Sequence, residues 1–316
     1  MKGLVYKSTG SWYTVRSESG AFYPCRIKGK FRIDGIKSTN PIAVGDRVEF
    51  SIETSDQETT GLIEKIEARD NYIIRKSVNL SKQTHIIASN IDHAFLLVTP
   101  TNPVTTTSFI DRFLVTAAAY HIDCVLLFNK SDAYDQESLD QAKYLAGLYR
   151  SIGYRCVGIS AKTGKNLDQV KTLMKDRTSV FSGHSGVGKS TLINALAPDL
   201  DLRTAEISQQ HAQGQHTTTF AEMFDLPFGG RIIDTPGIKG FGIVDVSPSE
   251  LGAYFPEFFA LQDQCKFNNC QHINEPNCAI KDHLDSGELA WSRYQSYCQI
   301  HSGEDSQYRK DIFHQS

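Results

Sequence analysis

The chain has 316 residues, of which 40% are hydrophobic and 22% are charged, and its formal net charge at pH 7 is −3. These values describe an ordinary folded protein of two or three domains, and they exclude a disordered chain and a uniformly basic nucleic-acid-binding protein. The N-terminus lacks the apolar stretch of a secretory signal, and no window is long enough to span a membrane. We therefore expect a cytoplasmic protein without a membrane partner, with its seven cysteines as reduced thiols or metal ligands.

Residues 1–72 have the pattern of a small β-barrel. Gly, Pro and Asn separate five short β-prone stretches, namely LVYKS, SWYTVRS, AFYPCRI, DRVEFSIE and GLIEKIEAR. Five short strands without a helical period favour an OB-fold.

The N-terminal region is also basic and aromatic. Residues 1–50 carry nine Lys and Arg against four acidic residues, and basic side chains alternate with Trp12, Tyr13, Phe22, Tyr23 and Phe31. Such a barrel suits RNA, because basic side chains can contact the phosphate backbone and aromatic rings can stack on unpaired bases. Most aromatics of so small a barrel must be core, however, and a basic run is often only a solvated face, so both interpretations stay open.

Residues 78–245 alternate between strands and helices. The strand candidates AFLLVTP, CVLLFN, RCVGIS, TSVFSG and RIIDTPG begin at residues 94, 124, 155, 178 and 231, and helical stretches separate the first four. This alternation predicts a mostly parallel sheet with helices on both faces. Ligands bind at the carboxyl ends of such strands, where the polar motifs of this chain occur.

The segment GHSGVGKS at residues 183–190 has the pattern of a phosphate-binding loop between a strand and a helix. Glycines let backbone N–H groups approach phosphates, a lysine supplies charge, and a serine hydroxyl binds Mg²⁺. The predicted nucleotide-binding residues here are Gly183, Ser185, Gly186, Val187, Gly188, Lys189, Ser190 and Thr191. An incidental glycine-rich turn is the alternative, and the flanking strand and helix argue against it.

Two further segments complete the predicted phosphate side. In DTPG, Asp234 is expected to help hold Mg²⁺ and Gly237 to donate its N–H to the γ-phosphate. In QGQHTTTF, Thr218 is our first choice for the threonine that senses Mg²⁺ and γ-phosphate, and Thr217 the second.

A water-orienting residue is the last requirement of the phosphate side. The residue after DTPG is isoleucine, which cannot orient water, so His216 is the candidate and slow intrinsic hydrolysis is expected. A surface histidine without a role is the alternative interpretation.

Two loops are predicted to read the base. NKSD places Asp132 to accept hydrogen bonds from guanine, with Asn129 and Lys130 bracing the loop. Adenine presents an acceptor at that edge and would leave the carboxylate unpaired. SAKTG adds a second loop whose base-side residues are Ser160, Ala161 and Lys162. NKSD alone could be a helix cap, but four motifs at strand ends together indicate GTP and GDP as ligands.

The order of these motifs is unusual, because the base-reading box precedes the phosphate loop. Cutting a Ras-like domain after its DTPG loop and joining the old ends gives the order observed here. The central region is therefore predicted to be a circularly permuted P-loop GTPase. DTPG then leads directly into the C-terminal region, so switch movement would pull on that region.

Residues 248–316 contain the metal-ligand pattern Cys-x4-Cys-x-His-x5-Cys. Cys265, Cys270, His272 and Cys278 supply three thiolates and one imidazole, the ligands of a closed structural zinc site. Unliganded thiols are the alternative. A helix is predicted over residues 287–300, with Trp291, Tyr294 and Cys298 in the core. The remaining cysteines, Cys25, Cys124, Cys156 and Cys298, are expected to be small buried packing residues without a functional role.

The ordered set NKSD, SAKTG, GHSGVGKS, GQHTTT and DTPG, with a barrel before it and the cysteine cluster after it, resembles the bacterial ribosome small subunit-dependent GTPase A family along essentially the whole chain. This resemblance implies an OB-fold, a permuted GTPase and a zinc domain acting in late maturation of the small ribosomal subunit. It also implies slow GTP hydrolysis that the subunit stimulates, with the family's His-Thr-Thr motif falling on His216, Thr217 and Thr218.

The expected partners are thus the small ribosomal subunit and its rRNA, and we expect a monomer. Two alternatives stay open. One is a GTPase that serves another RNA process, and the other is a binding module for which GTP is only a conformational ligand.

Overall fold

The computed structural model describes residues 1–27, 41–54, 59–76, 84–198, 221–234 and 246–303. The described residues fall into two compact units. One unit comprises Met1–Phe95, Ile159–Gly183 and Gly188–Lys239, and the other comprises Leu96–Gly158, His184–Val187 and Gly240–Ser316.

The first unit begins with a five-stranded barrel. Its strands are β1 (Lys2–Ser8), β2 (Tyr13–Ser17), β3 (Phe22–Ile27), β4 (Arg47–Thr54) and β5 (Thr59–Ile66). Pairing runs β1–β2–β3–β5–β4, and β4 pairs again with β1, which closes the barrel. Among these five described strands, β3 and β5 pair in parallel and the other neighbours pair antiparallel. The predicted barrel is therefore confirmed.

Alternation along the strands fills the barrel interior. The buried cluster consists of Val5, Tyr13, Val15, Cys25, Ile42, Val48, Phe50 and Ile63. Gly61 is required by this crowding, because a Cβ there would lie 2.4 Å from the Cys25 sulfur. Of the aromatic residues noted in the sequence, Tyr13 is core, whereas Phe22 is exposed; Phe31 lies outside the described residues.

Two strands that the sequence did not predict follow the barrel. β6 (Tyr72–Lys76) and β7 (Thr84–Ser89) pair as a separate antiparallel sheet. A buried ion pair lies beside them, in which Arg69 donates to both Asp46 carboxylate oxygens at 2.6 Å and Ser89 donates to the same carboxylate at 2.6 Å. These bonds fasten the barrel to the chain that leaves it.

The α/β part of the first unit carries the phosphate loop. It contains the first residues of β8 (His93–Val98), α3 (Leu167–Met174), β11 (Thr178–Ser182), α4 (Lys189–Leu196), β12 (Glu222–Asp225) and β13 (Arg231–Asp234). The strand order is β8–β11–β13–β12, and it continues through β12 into barrel strand β1. β11 and β13 are parallel, as the alternating pattern predicts, and β12 is antiparallel to β13.

The second unit holds the base-reading box and the C-terminal region. Its regular elements are the end of β8, α1 (Thr107–Ala119), β9 (Asp123–Phe128), α2 (Gln136–Ser151), β10 (Arg155–Gly158), α5 (Pro256–Phe259), α6 (Ala279–Asp285) and α7 (Trp291–Ser302). β9 and β10 are parallel. Side chains cap two helices, since Thr106 accepts from Phe109 N–H and Asp135 accepts from Ser138 N–H.

A buried polar network joins the C-terminal helix to α1. Arg293 of α7 donates to Asp111 of α1 at 2.6 Å and to Glu257 at 2.7 Å, and Tyr149 of α2 donates to Asp111 at 2.7 Å. Burial raises the pKa of Asp111, and the Arg293 charge opposes that rise. Separating these helices would leave a buried charge unpaired, which is energetically costly. The network therefore holds α1, α2 and α7 in one arrangement.

One prediction for the C-terminal helix is wrong. Helix α7 begins at Trp291 rather than at residue 287, and Trp291 is 60% exposed instead of being core. As the first residue of the helix, its ring lies at the exposed end. Tyr294 and Cys298 do pack against the buried C-terminal cluster. No described helix combines the length and apolar character needed to cross a membrane.

Candidate nucleotide site and metal cluster

The phosphate loop follows β11 and ends at the first turn of α4. Gly186 and Gly188 have φ of 78° and 102°, in the left-handed region that glycine adopts without strain. Lys189, the first residue of α4, donates its Nζ to the carbonyl oxygen of Gly183. Ser190 follows at the N-terminus of the helix, where backbone N–H groups and the helix dipole favour an anion.

Asp234 lies at the same edge of the sheet as the loop. β11 and β13 are parallel, with Thr178 opposite Arg231 and Ser179 opposite Ile232. Continuing this register places Asp234 level with Phe181, two residues before Gly183. The end of β13 therefore brings a carboxylate beside the phosphate loop, where the sequence predicts a Mg²⁺ ligand.

The base-reading box contacts the phosphate loop through Asn129. This side chain is 1% exposed and donates its Nδ2 to the carbonyl oxygen of Val187 at 2.9 Å. Val187 is fully buried. The bond links two segments that are almost sixty residues apart in the chain, and a buried amide left without it would cost about 1–3 kcal/mol.

The rest of the base-reading box is held by its neighbours. Lys130 has φ of 66° and donates its Nζ to the carbonyl oxygen of Asn102 at 2.6 Å. Tyr134 donates its hydroxyl to the carbonyl oxygen of Asn129. Asp132 is exposed, so its carboxylate is accessible to a ligand. Sequence reasoning missed Asn102 and Tyr134, because no motif marks them.

His184, inside the phosphate loop, has an aromatic neighbour that the sequence did not reveal. Phe109 in the first turn of α1 stacks on the His184 ring with the centroids 3.9 Å apart. This stacking supports the loop from the side of α1.

The second base-side loop closes on itself. Ser160 is buried, its Oγ accepts from Thr163 N–H at 3.1 Å, and its carbonyl accepts from Gly164 N–H at 3.0 Å. Ala161 is buried and Lys162 is exposed. Burial of Ser160 and Ala161 fixes the backbone that presents Lys162.

Several predicted residues lie outside the described part of the chain. These are His216, Thr217, Thr218 and Gly237. Their roles stay predictions from the sequence.

The cysteine cluster assembles as its spacing predicts. The ligand atoms of Cys265, Cys270, His272 and Cys278 all lie within 4.8 Å of one another. His272 Nδ1 is 3.6 Å from the Cys265 sulfur and 3.4 Å from the Cys278 sulfur. A tetrahedral zinc ion with ordinary bond lengths separates its N and S ligands by about 3.6 Å. The donor set and the spacing therefore fit one structural zinc ion.

Neighbouring side chains orient this cluster. Tyr294 donates its hydroxyl to the His272 carbonyl at 2.8 Å, and Tyr297 donates to the Gln271 carbonyl at 2.7 Å. Gly252 leaves room for the imidazole, since a Cβ there would approach His272 Nε2 to 3.3 Å. Burial lowers the pKa of His272, which favours the neutral ring that a metal requires.

Comparison with known proteins agrees with these features. A model of the RsgA GTPase family matches residues 66–244, and a model of the RsgA N-terminal domain matches residues 2–63. The chain belongs to the RsgA GTPase family. It is accordingly a GTP hydrolase, and GTP or GDP with Mg²⁺ and a structural zinc are its cofactors.

Relatives in this family match along nearly the full length. The small ribosomal subunit biogenesis GTPase RsgA of Christiangramia forsetii is 68% identical over 313 residues, which cover 99% of either chain. The protein of the same name from Flavobacterium johnsoniae is 63% identical, with 99% of this chain and 96% of the relative covered.

Solved RsgA-like structures share the fold. YjeQ from Thermotoga maritima matches with a TM-score of 0.78 and 36% identity, over 96% of this chain and 97% of the other. YloQ, described as a circularly permuted GTPase, matches with a TM-score of 0.75 and 30% identity, over 97% and 95%. These matches confirm the predicted fold class of barrel, permuted GTPase and cysteine-rich C-terminal region.

Proposed function

We propose that this chain binds the small ribosomal subunit in its GTP form, acts in the subunit's late maturation, and leaves after hydrolysis. The bond from Asn129 to the Val187 carbonyl carries the nucleotide part of this proposal, because it ties the guanine-reading box to the phosphate loop. The names of the relatives support the partner. A cytoplasmic location and contact with rRNA are parts of the same proposal.

The predicted site residues divide between nucleotide binding, hydrolysis and zinc binding. Backbone N–H groups of the phosphate loop and Lys189 hold the phosphates, Ser190, Thr218 and Asp234 hold Mg²⁺, and Asp132 reads guanine. His216 orients the attacking water. Cys265, Cys270, His272 and Cys278 hold the zinc, which folds the C-terminal loops and supplies no open coordination position for chemistry.

We assign these roles to three domains. They are an OB barrel at residues 1–72, the permuted GTPase at residues 78–245 and a zinc domain at residues 248–316. The chain acts as a monomer on the subunit.

Cosedimentation with purified subunits tests the proposal. The chain should pellet with small subunits in the presence of a nonhydrolysable GTP analogue and stay largely in the supernatant with GDP. Large subunits are the matched control and should retain little protein with either nucleotide. Equal retention on both subunits, or no dependence on the nucleotide, would contradict the proposed partner and its switching.

A further inference from the structure

Within the described residues of the first unit, a strand pairing joins the barrel to the GTPase sheet. Strand β1 pairs with β12 through Lys7 and Glu222, and β12 pairs with β13 so that Glu222 lies opposite Asp234. Lys7, Glu222 and Asp234 are therefore in line across three strands. Because adjacent strands lie about 4.8 Å apart, the barrel backbone is about 10 Å from the backbone of the predicted Mg²⁺ ligand.

Tyr6 is the centre of this connection. It is 5% exposed, although the adjacent Val5 already faces the barrel core. The register between β1 and β2 shifts between Val5 and Lys7, and such a bulge re-aims a side chain. The phenol of Tyr6 is thus buried outside the barrel.

The Tyr6 hydroxyl is fully bonded to groups from both sides of the connection. It donates to Asp225 of β12 at 2.7 Å and accepts from Arg16 of β2 at 3.1 Å and from Arg231 of β13 at 3.2 Å. Arg16 also donates to the Asp225 carboxylate at 2.7 Å. We call Tyr6, Arg16, Asp225 and Arg231 the junction cluster.

The position of β12 and β13 gives this cluster a consequence. β12 follows the segment with the predicted sensing threonine, and β13 ends at Asp234, so both switch segments attach to the hairpin that the junction cluster holds. We propose that the junction cluster couples the nucleotide site to the barrel, with Tyr6 and Asp225 as its positioning residues. The proposal rests on the nucleotide role given above to Asp234.

Coupling of this kind is reciprocal. A nucleotide that moves the hairpin changes the barrel, and a partner that binds the barrel changes nucleotide affinity to the same extent. The barrel is thereby a sensor of the GTP state.

Trp12 offers a direct test because it lies in the turn between β1 and β2, where its carbonyl accepts from Thr9 N–H at 2.9 Å. The chain has two tryptophans. Replacing the exposed one, Trp291→Phe, leaves Trp12 as the single emitter. Emission is compared between GDP and a nonhydrolysable GTP analogue, each with Mg²⁺, and nucleotide binding is measured in the same samples.

The two nucleotides should give different Trp12 emission. Tyr6→Phe and Asp225→Asn should each reduce that difference at least about twofold, with nucleotide affinity changed less than about twofold. Tyr144→Phe, an exposed tyrosine on α2, is the matched control and should keep the full difference.

A second set of variants exchanges the charges of a surface ion pair and keeps the proposal testable if the buried variants fail to fold. Lys7 and Glu222 form a solvent-exposed pair at 2.8 Å. Lys7→Glu should reduce the emission difference, and Lys7→Glu with Glu222→Lys should restore it. Nucleotide binding with identical Trp12 emission in both states, or an undiminished difference in Tyr6→Phe, Asp225→Asn and Lys7→Glu, would overturn the coupling. Absence of nucleotide binding would overturn the proposed function and this inference together.

Discussion

Asp132 is exposed in the loop after β9, while Asn129 of the same box is buried and bonded to the phosphate loop. A carboxylate in this position can accept two hydrogen bonds from the N–H groups of guanine. An asparagine side chain would instead point its own NH2 group at one of these N–H donors. Asp132→Asn should therefore lower GDP affinity about tenfold to a hundredfold and improve xanthosine diphosphate binding. Competition binding with both nucleotides measures this.

The neighbouring Asp135 provides the control. Its carboxylate caps α2 by accepting from Ser138 N–H at 2.9 Å, and asparagine caps equally well. Asp135→Asn should leave both nucleotide affinities unchanged. Unaltered guanine preference in Asp132→Asn would remove the base-reading role.

His216 has a role that nucleotide binding alone does not report. Orientation of water acts on the chemical step, so His216→Ala should reduce subunit-stimulated turnover at least about tenfold with little change in GTP affinity. Single-turnover hydrolysis and equilibrium binding separate the two effects. His211→Ala, in the same segment, is the control, and undiminished turnover in His216→Ala would end the proposed role.

At the scale of elements, the zinc cluster organises the C-terminal loops. Cys278 precedes α6 and Cys265 follows a short 3-10 helix, so the metal would tie together the loops between these elements. Cys278→Ser should lose zinc and melt α6 and α7 at lower temperature. Elemental analysis and thermal unfolding measure both effects. Cys298→Ser, in α7 but outside the cluster, should keep one zinc ion per chain, and retained zinc in Cys278→Ser would contradict the ligand set.

The barrel core should respond to alkaline pH. Burial raises the pKa of Tyr13 to about 12 and that of Cys25 to about 11. Both groups have a higher pKa in the folded barrel than in the unfolded chain. Their contribution to the free energy of unfolding is therefore complete below the unfolded pKa, and it declines as the pH rises toward the folded pKa. The free energy of unfolding of the barrel should therefore fall by about 3–4 kcal/mol between about pH 8.5 and pH 11.

Urea unfolding followed by Trp12 emission in Trp291→Phe measures this loss. Tyr13→Phe should weaken the pH dependence, because a phenyl ring has no proton to release. If the free energy of unfolding depends on pH to the same extent with and without the Tyr13 hydroxyl, groups other than Tyr13 govern alkaline unfolding.

For the molecule as a whole, the sequence predicts those features that show up as a local pattern of residues, such as strands and the zinc-ligand spacing. Alternation predicted the five barrel strands, and apolar runs ending in polar motifs predicted β8, β9, β10, β11 and β13 to within a few residues. The cluster from Cys265 to Cys278 was predictable because zinc ligands follow a compact spacing.

Contacts between distant segments were not predictable in the same way. The β1–β12 pairing joins residues more than two hundred positions apart, and nothing in LVYKS distinguishes it from a strand that stays within its barrel. The bond from Lys130 to the Asn102 carbonyl uses a backbone atom, which leaves no sequence signal. Helical spacing predicts Trp291 as core, and this prediction is wrong because spacing does not say where the helix begins.

Circular permutation gives the order of these segments its mechanical meaning. DTPG leads along the chain toward the C-terminal region, and strand β12 of the preceding β12–β13 hairpin pairs with barrel strand β1. With the proposed junction cluster, we expect a cycle of GTP binding and hydrolysis to act on both flanking regions.

We propose above all a GTPase that the small ribosomal subunit activates. The measurement that tests it most directly is the GTP hydrolysis rate of the full chain alone, with small subunits and with large subunits, with ATP as the nucleotide control. We expect slow turnover by the chain alone, with stimulation by small subunits only and for GTP only. The same slow rate under all conditions, or equal stimulation by large subunits, would contradict it.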